Sequence, residues 1–318
     1  MKTFLLTAAI STFASSLFAQ GQGGSSGNPF AGLQIELDRI QWTYRTDTPS
    51  MTPDEAHQLA GRLSQMSGVE LQYDSSRDED GRMMYGAAND RSTLLDINLR
   101  SRGFLFNAGY GDMRGEEDTP RLPKNKKRIL GKATQHLRTL GLLPEPKDMF
   151  VEHIGGLNMS VVREDGSTSD YRKLVSVRLG RTTDIQNTQG PGSRILVQLG
   201  TAGRLRGMVF EWEHFASQQL EDHEKIPAAE VKRLSMLRMN DVTRNALRKR
   251  ITEVDVVFFD DGYGVLEPAI HVVATIVLQD NEGNKFTNPF DFYVPVPTAP
   301  KGYYPFLEDQ GIPAPDAD

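Results

Sequence analysis

Residues 51–73, MTPDEAHQLAGRLSQMSGVELQY, hold an amphipathic helix and, directly after its stop, an alternating strand. Thr52 is placed to cap the helix, Pro53 suits its first position, and Glu55, three residues after the cap, completes a capping box. Ala56, Leu59, Ala60, Leu63 and Met66 recur at helical spacing on one face, and Gly68 is the natural stop. Val69, Leu71 and Tyr73 then alternate with Glu70, Gln72 and Asp74, so one face of the strand is buried and the other wet. Met83 to Tyr85, Leu95 to Leu99 and Phe104 to Phe106 continue the sheet.

The same order recurs twice downstream. A polar stretch with Pro120 and Pro123 leads to a helix that places Ile129, Ala133, Leu137 and Leu140 on one face and stops at Gly141. Strands follow around Asn158–Arg163, Tyr171–Leu179, Arg194–Leu199 and Leu205–Trp212, the last two forming a hairpin about Gly200–Gly203. A third helix begins near Pro227 with Ala228, Val231 and Leu234, and strands Val254–Phe259, Ala269–Leu278 and Phe286–Val296 follow it. This pattern predicts an α+β fold of tandem modules, each with a helix packed on an antiparallel sheet. The expected division is a signal peptide at 1–19, a Gly/Ser tether at 20–28, a first α+β module at 29–111 and a linker at 112–127. A second, larger α+β region then spans 128–297, dividing at 128–215 and 226–297 if it holds two modules, and a Pro/acidic tail follows at 298–318.

The N-terminus, MKTFLLTAAISTFASSLFAQ, has the parts of a secretory signal: Lys2, an apolar run from Phe4, and Ala19 as a small residue for cleavage. That run is too short, and too interrupted by hydroxyls, for a membrane span. The expected location is secreted or periplasmic, with no stable membrane insertion after signal removal. The chain contains no cysteine, which excludes disulfides, thiolate metal sites and thiol nucleophiles. Its formal net charge is −6 with acid and base interspersed, which argues against nucleic acid as a partner. Lys124, Lys126, Lys127 and Arg128 read as a solvated helix start.

Three segments carry a resemblance to a known family: LGLLPEP (Leu140–Pro146), GPGSRILVQLGTAGRLRGMVFEWEHF (Gly190–Phe215) and GYGVLEPAIHVVATIVLQDNEG (Gly262–Gly283). With a helix before each sheet, they resemble the PepSY-type α+β modules of secreted proteins and peptidase propeptides. The resemblance implies a non-catalytic, inhibitory or regulatory role towards another extracytoplasmic protein, and it brings no catalytic residue with it.

Two acidic groups are the candidates for chemistry. Glu211, Glu213, His214, Glu221, Asp222, His223 and Glu224 mix carboxylates with imidazoles, but no His-Glu-x-x-His occurs, and a strand entering a solvated loop has the same composition. Asp260, Asp261 and Glu267 flank Gly262-Tyr263-Gly264, where a tight turn asks for the same residues as a calcium loop would. Gly190-Pro-Gly-Ser193 precedes a strand and lacks the helix N-terminus of a phosphate cradle. No catalytic residue, metal site or cofactor is therefore assigned. The expected function is an exported, soluble, non-catalytic protein that binds or regulates an extracytoplasmic protein or peptide, by adding a partner strand to an exposed edge. The candidate edges are the hairpin Arg194–Trp212 and the strand Ala269–Leu278. The candidate surface is Arg194, Arg206, Met208, Trp212, Tyr263 and His271. The alternative is an extracytoplasmic hydrolase or carbohydrate-active enzyme using acids near 211–224 or 260–267. A third reading, a structural envelope component, predicts self-association.

Overall fold

The computed structural model describes residues 28–47, 49–79, 81–88, 90–109, 122–162, 165–183, 188–243 and 246–304. The expected signal peptide, most of the tether, much of the linker and the end of the tail lie outside the described residues. In chain order the helices are α1 (Leu33–Asp38), α2 (Pro53–Ser67), α3 (Lys126–Leu140) and α4 (Ala228–Val242). The strands are β1 (Trp42–Thr46), β2 (Gln72–Tyr73), β3 (Arg82–Ala87), β4 (Asp90–Asn98), β5 (Phe104–Ala108), β6 (Met149–Val162) and β7 (Thr168–Arg181). They continue as β8 (Thr188–Gln189), β9 (Arg194–Leu199), β10 (Leu205–Glu211), β11 (Phe215–Gln219), β12 (Arg248–Asp260), β13 (Val265–Gln279) and β14 (Lys285–Pro295).

Local signals set the helix ends. The Glu55 amide donates to Thr52 Oγ1 at 3.2 Å, and the Glu55 carboxylate accepts from the Thr52 amide at 2.8 Å. Gly68 and Gly141 end α2 and α3 in the left-handed region, at φ 72° and 73°. Asn125 caps α3 through the Arg128 amide at 2.7 Å, so the basic cluster around it is the start of that helix.

The expectation of tandem helix-on-sheet modules is overturned. The protein is mostly β, and its strands form two large sheets that cut across the expected units. One sheet has eight strands in the order β2-β3-β4-β5-β10-β9-β7-β6. Its seam joins β5 to β10, with Phe104 opposite Phe210 and Phe106 opposite Met208, so strands on either side of the supposed linker share one hydrogen-bonded surface. The other sheet has six strands, β11-β1-β13-β12-β8, with β14 also on β13. It takes β1 from before the first expected helix and β11 from after the best hairpin. The physical reason is that alternation fixes which face of a strand is buried but not which strand satisfies its edge.

Two helices cover one face of the larger sheet. Ala56, Leu59, Leu63, Ile129, Ala133 and Leu137 pack there with Leu95, Phe104, Phe106, Val197 and Met208 in a single core. Leu33, Leu37 and Val231 pack with Ile270, Val272 and Val294 in the smaller sheet's core. Each large aliphatic side chain fully buried in this way contributes about 1.5–3 kcal/mol, which offsets the entropy of ordering a chain without disulfides.

Candidate functional site

The ends of β7 and β10, the start of β11, the loop after α3 and the outer side of α2 border a groove of about 720 Å³. Its apolar lining includes Leu59, Phe104, Leu142, Leu143, Trp212 and Phe215, and Tyr44 and Leu266 reach it from the second sheet. Charged groups stand around this lining: Arg62, Arg102, Glu55, Glu145, Asp148 and Arg181. The local fold explains their placement. Gly141 stops α3 and Pro144 and Pro146 prevent its resumption, leaving Leu142 and Leu143 half-buried beside the core. Arg62 donates to the Leu140 carbonyl at 3.0 Å, satisfying an end of α3 from the neighbouring helix. Arg102 holds Glu55 at 3.0 Å with its own backbone at φ 59°, an uncommon conformation for a residue with a Cβ.

Arg181 is the hub of the groove wall. Its guanidinium carbon lies 4.4 Å from the Trp212 ring centroid and 4.9 Å from that of Phe215. Its Nε donates to Ser193 Oγ at 2.8 Å, and Nη2 donates to the Glu213 carbonyl. Ser193 in turn donates to Asp260, with its backbone at φ 50°. The glycines of Gly190-Pro-Gly192 are explained by the same packing: a Cβ on Gly192 would stand 2.0 Å from Asp260 Oδ1, and one on Gly190 2.2 Å from the Asp260 carbonyl.

The two acidic groups separate into different roles. Asp261 Oδ1 accepts from the amides of Tyr263 (2.8 Å) and Val265 (3.1 Å), and its Oδ2 accepts from Tyr303 (2.9 Å). Glu267 takes Arg45 at 3.2 Å and the amides of Lys301 and Gly302 at 3.0 and 3.1 Å. These carboxylates build the turn and anchor the segment after it, so Tyr304 is buried and stacks on Phe259 at 4.9 Å. Further back, Glu221 and Glu224 cap a short turn, and His214 points outward to Asp47 at 2.7 Å. Glu211 and Glu213 face inward. Burial pushes each carboxyl up to about 7; Arg194 opposes the rise at Glu211, and Thr46 opposes it at Glu213, where Asp260 and Asp261 add to it. Glu213 lines the groove. Among the described residues no group of three or more histidines or carboxylates could hold a metal ion.

The six expected surface residues do not form one patch. Trp212 lines the groove. Met208 is core and Arg206 is buried, donating to the Gly109 carbonyl at 2.8 Å. Arg194 is exposed on β9, Tyr263 is exposed against Tyr303, and His271 pairs with Asp291 at 3.0 Å on β13. Both strands of the hairpin are interior, since β9 lies between β7 and β10, and β10 between β9 and β5; β13 is likewise paired on both sides. Among the described residues, the edge that adjoins the groove is instead β11, which ends the order of the smaller sheet and is exposed after Phe215. Sequence reasoning missed Arg181, Ser193 and Phe215. A signal for the groove was present in Leu142-Leu143, two leucines stranded between a helix stop and a proline.

The sequence matches no family model and no curated protein. A solved structure of an uncharacterized protein from Eubacterium rectale is similar over 82% of this chain and 85% of that one, at a TM-score of 0.43 and 10% identity.

Proposed function

We propose that this is an exported, non-catalytic binding protein that takes an extended segment of another extracytoplasmic protein or peptide into the groove. The observation that carries the reading is a groove with aromatic and leucine side chains set among charged ones, adjoining the exposed edge strand β11. Leu143, Trp212 and Phe215 give a ligand's apolar side chains a surface, and the edge offers main-chain donors and acceptors. The PepSY-like resemblance points to the same class of role. No helix among the described residues is long and apolar enough to cross a membrane.

The rival hydrolase reading draws its support from Glu213, whose raised carboxyl has the range of a general acid. A glycosidase needs a second carboxylate about 5–10 Å away in the same cleft. Asp261 and Glu267 are committed to backbone amides, Asp260 to Ser193 and Gly262, and Glu55 to Arg102, which leaves Glu145 and Asp148 as the groove acids that could serve as that partner.

A hexapeptide array probed with the intact protein tests the proposal. Binders should compete for one site, lose affinity in Leu143→Asp, and slow hydrogen exchange at 216–219. Array binding that Leu143→Asp leaves unchanged, or no binder at all, would remove the proposal.

A further inference from the structure

We infer that the groove selects ligands bearing a cationic side chain, an ammonium or guanidinium on the bound peptide, and that Glu213 receives it. The inference rests on the groove being a peptide site. Glu213 is only 8% exposed, yet it belongs to the groove lining. Thr46 bonds its carboxyl, but Oε2 is buried and has no hydrogen-bond partner among the described residues. A buried carboxylate oxygen left in that state is costly, and native structures rarely retain one without a use.

The charges around it say what would complete it. Asp260 and Asp261 face Glu213 from the β12–β13 turn, and Glu211 adds a third negative charge from β10. Arg181 faces it from β7, with Nε on Ser193 and Nη2 on the Glu213 carbonyl, and its charge offsets only part of this negative field. Arg45 is engaged by Glu267. An anionic ligand group would meet this field as repulsion, and a neutral donor would satisfy Oε2 without offsetting the surrounding negative charge. A cation with an apolar stem meets both demands: its charge pairs with the Glu213 carboxylate as that side chain turns toward the groove, while its methylenes lie along the lining beside Tyr44 and Leu266.

The test uses two capped pentapeptides, acetyl-Leu-Val-Lys-Val-Leu-amide and the same peptide with norleucine for lysine. Binding is read from Trp212 fluorescence in a Trp42→Phe background, which removes the chain's other tryptophan. The lysine peptide should bind at least about tenfold tighter, the scale of one charge-assisted bond. Glu213→Gln should erase that preference, bringing the lysine peptide to the affinity of the norleucine one. Equal affinities in the wild-type groove would overturn the inference and leave the peptide-binding reading standing. Binding by neither peptide would overturn both. A lysine preference that survives in folded Glu213→Gln, checked by circular dichroism, would show that Glu213 is not the receiving group. The wild-type comparison stands alone should that variant fail to fold.

Discussion

Arg181 lies with its guanidinium carbon 4.4 Å from the Trp212 ring centroid while its Nε donates to Ser193 at 2.8 Å. One side chain thus ties the end of β7 to the end of β10 and, through Ser193, to Asp260 on the other sheet. Arg181→Met would keep the stem's packing but leave Asp260 facing a hydroxyl without a cation behind it. The expected loss is about 3 kcal/mol, as for breaking other buried charged networks. Arg181→Lys should lose less, about 1–2 kcal/mol, because the charge stays while the planar stack is lost. Urea unfolding of the three proteins checks the order; equal midpoints would show that the hub carries no stability.

Glu211 and Glu213 give the protein a definite pH dependence. Their folded carboxyls are raised from 4.5 to about 7, so between those values the folded state binds more protons than the unfolded one. Stability from this source is present at low pH and is lost as pH rises through about 7. Unfolding at pH 5.5 should cost about 1–2 kcal/mol more per residue than at pH 7.5. In Glu213→Gln the difference should shrink by about half. A wild-type curve that rises with pH across this window would contradict the inward placement of both groups.

What could be read in the sequence was local. Thr52, Pro53, Glu55 and Gly68 specify α2 through bonds within a few residues, and Ile129 to Leu140 mark the buried face of α3; both helices form as those signals require. The turn at Asp260–Gly264 likewise follows from side-chain-to-backbone bonds over two to four residues. The β9–β10 hairpin was legible too, but the distant strand partners were not. Trp42–Thr46 is too short and mixed to stand out, and it gains its place only from β11 and β13, far along the chain. The groove is assembled the same way, from residues as distant as Tyr44 and Leu266. Glu213 was visible as one of several acids, but its burial depends on the neighbouring sheet.

The β5–β10 seam predicts joint unfolding of the larger sheet. Phe104 and Phe210 stack across it with centroids 5.5 Å apart and planes 17° from parallel. Phe104→Ala should cost about 3–5 kcal/mol, the usual range for emptying a buried aromatic site. Strands on both sides of the seam should still melt together, since they share one core. Residue-resolved hydrogen exchange is the measurement. If amides of β3 and β4 open at a much lower denaturant concentration than those of β7 and β9, the two halves are separate units after all.

The segment from Thr298 to Tyr304 is anchored chiefly by two carboxylates. Glu267 and Asp261 accept from the amides of Lys301, Gly302 and Tyr303, and the Thr298 amide donates to the Glu224 carbonyl at 2.7 Å. Ending the chain at Pro297 would strip both acids of these donors, leaving Glu267 only Arg45 and Asp261 only the Tyr263 and Val265 amides, and would expose Phe259 where Tyr304 covers it. Such a truncation should cost several kcal/mol, roughly 1–3 for each buried acceptor left unpaired. Ending it after Tyr304 should cost little, because the donors remain. Thermal melts of the two truncations separate the cases: equal midpoints would mean that the staple contributes nothing, while a drop confined to the shorter chain would locate it at residues 298–304.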